Sequence, residues 1–392
     1  MALKILVVVP YFYPAWAYGG IPRLAYGLCR SLLERGHQVT VVTTDALDRE
    51  DRAPPGLSDL AGIPVHRLPN LSNRLAYDHQ LFLPRGARAL LQDLVREADI
   101  VHLHGYWHLL NNAAVGAARE QKCPVVMTPN GTLPILERKQ GVKRLWDLAL
   151  GRPVRQAVDQ WIAVSRAEVN QFARAGLDSE RVHLVFNGLD LGEFEALPDA
   201  GLFRAQHQIG SGPMILYLGK LTPRKGVGHL LEAISQVRSQ EVTLVVAGND
   251  MGVGARLARK AEDLGLGQRA RFVGLLTGEE RLSALADADL LVYPSTDEIF
   301  GLVPFEGLLC GTPAVVSDDC GCGELVAQAR AGELVRYGRP EALARSIDGL
   351  LDDEGRRRRM VARGRAFIER NFAWPRIALQ TEAVYKAALR SR

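Results

Sequence analysis

Cysteine is scarce, with five residues in 392. The number is odd and no C-x-x-C pair occurs, which excludes a disulfide framework and the usual zinc-ligand spacing; Cys320-Gly321-Cys322 is too tight for either. A reducing cytoplasm is the expected setting. No stretch approaches the roughly 20 apolar residues that a membrane span requires. The first apolar run, Leu3-Lys4-Ile5-Leu6-Val7-Val8-Val9, is short and meets Pro10 without a small-residue cleavage pattern, so it reads as a buried strand and not as a signal peptide. Charge of one sign is not in excess: 48 basic and 44 acidic residues leave a net charge of +4, and binding of nucleic acid is not implied. Low-complexity segments and sequence repeats are absent. What is present is ordinary globular composition, 47% hydrophobic and 23% charged with a mean hydropathy of −0.03, in a length that suits about two domains.

The apolar pattern alternates between strand and helix. Residues 3–9 form a continuous strand-like run, a Pro/Tyr/Gly loop follows, and Ile21, Leu24, Leu28 and Leu32 recur at helical spacing up to Gly36. The run 38–43 completes a β-α-β unit with a right-handed crossover. Further strands are expected at residues 100–103, 125–128 and 161–164, and this half closes near 182–190. A loose stretch at 192–212 carries no clean period. A second alternation follows, with strands at 214–218, 243–247, 270–273, 290–293 and 314–317. The fold class is therefore α/β, with two Rossmann-like doubly wound parallel-sheet domains: residues 1–195 and 196–372, followed by a C-terminal helix, 373–392, amphipathic and suited to pack back on the first domain.

The passage 294–307 follows a buried strand and opens a helix, which sets it at the carboxyl edge of a sheet, where doubly wound folds bind ligands. The N–H groups of Gly301, Leu302 and Val303 belong to that helix's first turn and suit a phosphate or sugar oxygen. Pro304 is tolerated there because a first-turn proline loses no intrahelical bond. Glu298 and Glu306 are acceptor-only carboxylates fit for hexose hydroxyls and a ribose diol respectively; a capping acid with a solvated helix acid is the bland account. A second cluster, Gly219-Lys220-Leu221-Thr222-Pro223-Arg224-Lys225-Gly226, also follows a strand. Lys220 and Lys225 would there compensate the charge of a departing diphosphate. In the first half, His102-Leu103-His104-Gly105 ends another strand, and His104 or His108 can hydrogen-bond an acceptor or donor hydroxyl, a structural histidine being the bland account.

Glu298 and Glu306 with seven residues between them, Phe300-Gly301-Leu302 inside that interval and Cys310-Gly311-Thr312-Pro313 after it, resemble the signature of the retaining family 4 glycosyltransferases of the GT-B fold. The resemblance extends in order through residues 8–20, 102–107, 128–133, 185–190, 219–226 and 273–274. It implies two domains facing a cleft, a nucleotide sugar of UDP or GDP type as co-substrate, and a hexose carried to a hydroxyl acceptor. It further implies that Glu298 binds the transferred sugar, that Glu306 binds the ribose, and that Gly19 and Gly20 form the glycine loop facing the diphosphate. Donor contacts are expected from Leu276, Phe300, Gly301, Leu302 and Val303, with the base near Leu276 and Arg281. The acceptor side is assigned to the first domain, with His104, His108 and Asn130. Two positions depart from the family pattern: Lys220 stands where arginine is usual, keeping charge but losing the bidentate fork, and Asn130 stands where histidine is usual, so that no proton can titrate there.

No metal and no bound cofactor are expected. Asp287-Ala288-Asp289 resembles a metal-binding D-x-D, but it precedes its strand and so falls at the opposite sheet edge. Of two basic stretches, 138–146 mixes cations with Leu145 and Trp146 and suits peripheral contact with an anionic membrane or a lipid-linked acceptor; Arg356–Arg359 reads as a solvated helix face. The expected activity is a retaining hexosyl transfer in surface glycan or glycolipid assembly. A sugar-nucleotide epimerase of similar shape and a catalytically silent binding subunit are the rival readings. Donor base, hexose, acceptor and oligomeric state are not specified by the sequence.

Overall fold

The computed structural model describes residues 2–134 and 150–391. It divides into two compact units, Met1–Leu189 with Phe372–Arg392 and Asp190–Asn371.

The first unit holds an eight-stranded sheet in the order β3-β4-β2-β1-β5-β6-β7-β8: β1 Lys4–Val8, β2 Gln38–Thr44, β3 Gly56–Leu60, β4 Ile63–Leu68, β5 Ile100–His104, β6 Val125–Thr128, β7 Gln160–Ala163 and β8 Val182–Leu184. All pairs are parallel except β3 with β4. Alternate residues of β1 feed opposite faces, as the strand period demands. Leu6 and Val8 join a core with Leu91, Leu103 and Leu110; Ile5 and Val7 join another with Leu28, Leu32 and Tyr385. A central strand covered on both sides must be apolar throughout, which is why this run lacks alternation.

Tyr385 belongs to the last helix, Trp374–Arg390, which returns to the first unit. It places Ile377, Val384, Tyr385 and Ala388 in the same core as the helix Ile21–Glu34. Its first residue, Trp374, lies flat over two glycines: a Cβ on Gly27 or Gly188 would stand 2.3 or 2.4 Å from the indole. At its middle, Glu382 receives Arg35 and His37.

The hairpin β3–β4 is not foreseen by the sequence pattern. Its outer strand is a mostly exposed edge, with Leu57 66% exposed, and β4 contains Pro64, which weakens a strand reading.

The second unit has β9 Met214–Leu218, β10 Thr243–Ala247, β11 Ala270–Gly274, β12 Leu290–Tyr293, β13 Ala314–Ser317 and β14 Gly332–Val335, in the order β11-β10-β9-β12-β13-β14. Every pair is parallel. The short edge strand β14 also escapes the sequence reading, since only four residues carry it and none is fully buried. The chain passes into this unit at Asp190, a few residues earlier than loss of periodicity suggests, because Leu191–Phe194 forms a 3-10 turn whose Phe194 ring lies beneath Arg281. In each sheet the winding direction reverses once, between β1 and β5 and between β9 and β12, and such reversals open a crevice at the strands' carboxyl ends. Among the described residues no helix is long and apolar enough to cross a membrane. The basic stretch 138–146 lies outside the described residues.

Candidate active site

In the second unit, the reversal between β9 and β12 brings two loops together. After β9, a 3-10 turn Pro223–Lys225 runs into the helix Val227–Gln236 through Gly226, which has φ +71°. A Cβ at Gly226 would stand 2.0 Å from the carbonyl oxygen of Pro294, so only glycine lets this loop lie against the one that follows β12. Thr296 N–H seals the contact by donating to Arg224 O at 2.9 Å.

Within this junction Lys225, only 8% exposed, forms an ion pair with Glu298 and donates to Tyr293 Oη at 2.5 Å. Tyr293 Oη in turn donates to Glu298 Oε2 at 3.0 Å, and Ser295 Oγ reaches the same oxygen at 3.4 Å. All three partners converge on Oε2. Burial works to raise the Glu298 pKa, but the charges of Lys225 and Arg224 and the bonds from Lys225 and Tyr293 outweigh it and hold it below the ordinary range. The carboxylate is therefore ionised at neutral pH. Lys220 is held down to about 8, by burial first and then by Lys225 and Arg224. Three cations drawn together at the carboxyl end of a strand are the electrostatic mark of an anion site.

Gly301, φ +68°, then opens the helix Leu302–Cys310. A Cβ there would meet Cys322 Sγ at 2.9 Å and Glu298 Cγ at 3.2 Å. The first-turn N–H groups thus open next to the Glu298 side chain. Phe300, buried, packs on Phe305 with ring centroids 5.6 Å apart. One turn on, Glu306 is 1% exposed and accepts from Arg281 Nη1 at 2.6 Å through Oε2, while Arg281 Nη2 donates to Glu193 Oε1 at 2.5 Å. Burial opposes the charge on Arg281, yet Glu306 and Glu193 raise its pKa. Beyond lies a cavity of about 400 Å3 at the carboxyl ends of β10 and β11, lined among others by Gly248, Asn249, Asp250, Phe272 and Leu275.

In the first unit, Gly19 has φ +96° and Gly20 caps the helix Ile21–Glu34. Across the β1–β5 reversal stand His104 and His108, both buried, with pKa values that burial lowers to about 4 and about 3. Asn130 adopts φ +53° in the loop after β6. That loop is clamped by Glu168, which accepts from Gly131 N at 2.5 Å and Val164 N at 2.8 Å; burial raises the Glu168 pKa to about 7, against these two bonds. His102 links Thr128 Oγ1 to Tyr385 Oη, at 2.8 Å each.

Two family models cover most of this chain: Glycosyltransferase Family 4 matches residues 18–193, and Glycosyl transferases group 1 matches residues 200–367. A D-inositol 3-phosphate glycosyltransferase of Xylanimonas cellulosilytica is 30% identical over 95% of this chain and 93% of its own length. The chain belongs to the family 4 glycosyltransferases. A glycogen synthase of Mycobacterium tuberculosis is 27% identical over 98% of this chain and 95% of its own. Among solved structures, Anabaena HepE in complex with UDP and glucose superposes with a TM-score of 0.78 at 22% identity, covering 98% of this chain and all of that one; at that identity it carries the fold alone, which is GT-B.

For this glycosyltransferase, the structure gathers Lys220, Lys225, Glu298, Phe300, Gly301, Leu302 and Val303 around one junction of the second unit, with Glu306 one turn along the same helix. His104, His108 and Asn130 gather in the first unit. The guanidinium of Arg281 is held by Glu306 and Glu193. Leu276 is buried at 3% exposure. Asp287 caps the backbone of Gly201 and Arg204, and Asp289 accepts from Met214 N and Arg204, so both carboxylates serve the amino edge of the sheet. Arg357 donates to Leu350 and Leu351 carbonyls and Arg356 pairs with Glu333, so part of that cationic run is structural and not merely solvated.

Sequence reasoning missed Tyr293, Glu193 and Glu168. Tyr293 was visible as the last residue of a strand, where side chains enter the ligand crevice. Glu168 was visible as the fourth residue of Ser165-x-x-Glu168, a capping-box spacing: Ser165 Oγ does accept from Glu168 N, while the carboxylate reaches outward to Gly131. Glu193 gave no local signal.

Proposed function

We propose that the chain is a retaining hexosyltransferase that takes its donor, a UDP- or GDP-hexose, in the second unit and passes the sugar to a hydroxyl acceptor in surface glycan or glycolipid assembly. The observation that carries this reading is the junction of Lys225, Glu298 and the helix start at Gly301. Oε2 of Glu298 holds Lys225, which leaves Oε1 for a hydroxyl of the transferred hexose. Lys225, Lys220 and the N–H groups of Leu302 and Val303 take the diphosphate. Glu306, fixed by Arg281, takes the ribose diol, and the cavity beside Phe272 takes the base. The binding of UDP and glucose in HepE supports this reading.

In the reaction the bond from the anomeric carbon to the diphosphate oxygen breaks, and the acceptor oxygen bonds to that carbon on the same face. The acceptor proton passes to the departing phosphate oxygen. Lys225 and Lys220 stabilise the charge that develops there, so catalysis rests on positioning and electrostatics, with no metal ion required. The setting proposed is cytoplasmic, with peripheral membrane contact through the basic stretch 138–146.

The test is nucleoside diphosphate release from a panel of UDP- and GDP-hexoses with mixed glycoside acceptors and a chelator present. Release should be confined to one nucleotide class and fall by about a hundredfold or more in Glu298→Ala, the scale of losing a charged transition-state contact. Undiminished release in that variant, or release from no donor, contradicts the assignment.

A further inference from the structure

Arg281 and Glu306, 8% and 1% exposed, form an ion pair inside the second unit. Taking such charges out of water is costly, and a buried ion pair seldom adds stability over packed apolar side chains, so the pair calls for another use. Glu306 stands on the helix Leu302–Cys310 and Arg281 near the start of the helix Gly278–Asp287. A third member, Glu193, comes from neither helix. It belongs to the 3-10 turn Leu191–Phe194, the first turn of the unit, closed by Glu193 N–H on Asp190 O and Glu195 N–H on Gly192 O at 3.3 Å each.

A guanidinium that meets a single carboxylate commonly grips both of its oxygens with two parallel N–H groups. Here the fork is divided. Nη1 donates to Glu306 Oε2 at 2.6 Å and Nη2 to Glu193 Oε1 at 2.5 Å, while the Phe194 ring, beside Glu193 in the turn, stands 5.9 Å from Cζ and adds a cation–π contact. One arm is enough to orient Glu306. The other arm, held on the turn, commits part of the cation's charge to a second anion, so Glu306 keeps more of its strength as an acceptor than it would under a full fork. The Glu193 side chain is itself 31% exposed, and removing it leaves no buried charge alone, since Arg281 and Glu306 still pair.

We propose that Glu193 is a positioning residue that sets the selectivity of the donor site for a ribose: by drawing one arm of Arg281 to the 3-10 turn, it keeps the guanidinium from closing on Glu306. The proposal rests on the reading that Glu306 takes the ribose diol. It also carries a reciprocal consequence. A diol that donates to Glu306 weakens that carboxylate's hold on Arg281, and the guanidinium then leans more on Glu193, so a bound ribonucleotide tightens the turn by the same coupling through which the turn favours the ribonucleotide.

The test is calorimetric titration of the full chain with UDP, GDP and their 2′,3′-dideoxy counterparts, in the wild type, Glu193→Ala and Glu193→Asp. The wild type should prefer the ribonucleotide by about 30-fold or more. In Glu193→Ala that preference should narrow by about tenfold, with affinity for the dideoxynucleotide held within about twofold, and Glu193→Asp, which keeps a carboxylate on the turn, should recover part of it. A role in folding alone would weaken both nucleotides alike. Hydrogen exchange in the wild type gives a second reading that needs no variant: a saturating ribonucleotide should protect the amides of residues 193 and 195 more than the saturating dideoxynucleotide does. The proposal is overturned if Glu193→Ala keeps the wild-type preference, if it loses both nucleotides equally, or if the two nucleotides protect the turn to the same degree. A wild type that binds neither nucleotide, or both equally, sinks the assignment of the ribose to Glu306 and this proposal with it, whereas a preference present in the wild type and unchanged in Glu193→Ala sinks the proposal alone.

Discussion

Burial first, and then the charges of Lys225 and Arg224 beside it, bring the Lys220 pKa down to about 8. An arriving diphosphate relieves the repulsion and favours the charged amine, so binding should take up protons where the free amine is partly neutral. The sign follows: nucleotide affinity is full below about pH 7 and declines as pH rises through about 8. Calorimetry in buffers of different ionisation enthalpy should show proton uptake near that pH, and Lys220→Arg, whose guanidinium does not titrate there, should abolish the slope. A slope that survives the arginine variant places the titrating group elsewhere. Much of this was legible beforehand, because acidic and basic residue types after a strand declare themselves. The Glu193–Arg281–Glu306 chain was not, since the three residues lie far apart in sequence and nothing in the periodicity around Glu193 marks its partner.

Between elements, the decisive contact is backbone against backbone. Gly226 allows the turn that carries Lys225 to rest on the Pro294 carbonyl, and its φ of +71° disfavours any side chain. Gly226→Ala should therefore displace Lys225 from Glu298 and lower kcat/KM by about tenfold or more, given a strain of ~1–3 kcal/mol; circular dichroism should report intact secondary structure. Wild-type kcat/KM in the alanine variant would mean that the junction tolerates its own opening. The central strands were readable because burial on both sheet faces leaves an unbroken apolar run, whereas β3 and β14 are partly solvated edges and β4, beside β3, alternates buried and half-buried residues around Pro64, so none of the three carries such a run. The same logic explains Glu168: its capping-box position predicts a helix start, but the long-range bond to Gly131 depends on how β6 and β7 stand side by side.

At the scale of the whole molecule, two doubly wound sheets each reverse direction once and each gather polar chemistry at that reversal: neutral hydrogen-bonding groups in the first unit, cations and carboxylates in the second. The return of the last helix to the first unit, pinned by Trp374 over Gly27 and Gly188, was foreshadowed by its amphipathic pattern, but the glycine seats under the indole are a matter of shape that no periodicity encodes. The central claim is that a nucleotide lies in the second unit with its ribose on Glu306. It is tested most directly by titrating the preferred nucleoside diphosphate and its 2′,3′-dideoxy counterpart into the wild type and into Glu306→Gln. The account predicts that removing the diol costs the wild type about 2–3 kcal/mol, roughly 30- to 150-fold in Kd, and that the glutamine variant narrows this gap sharply. Equal affinity of the wild type for the two nucleotides would contradict it.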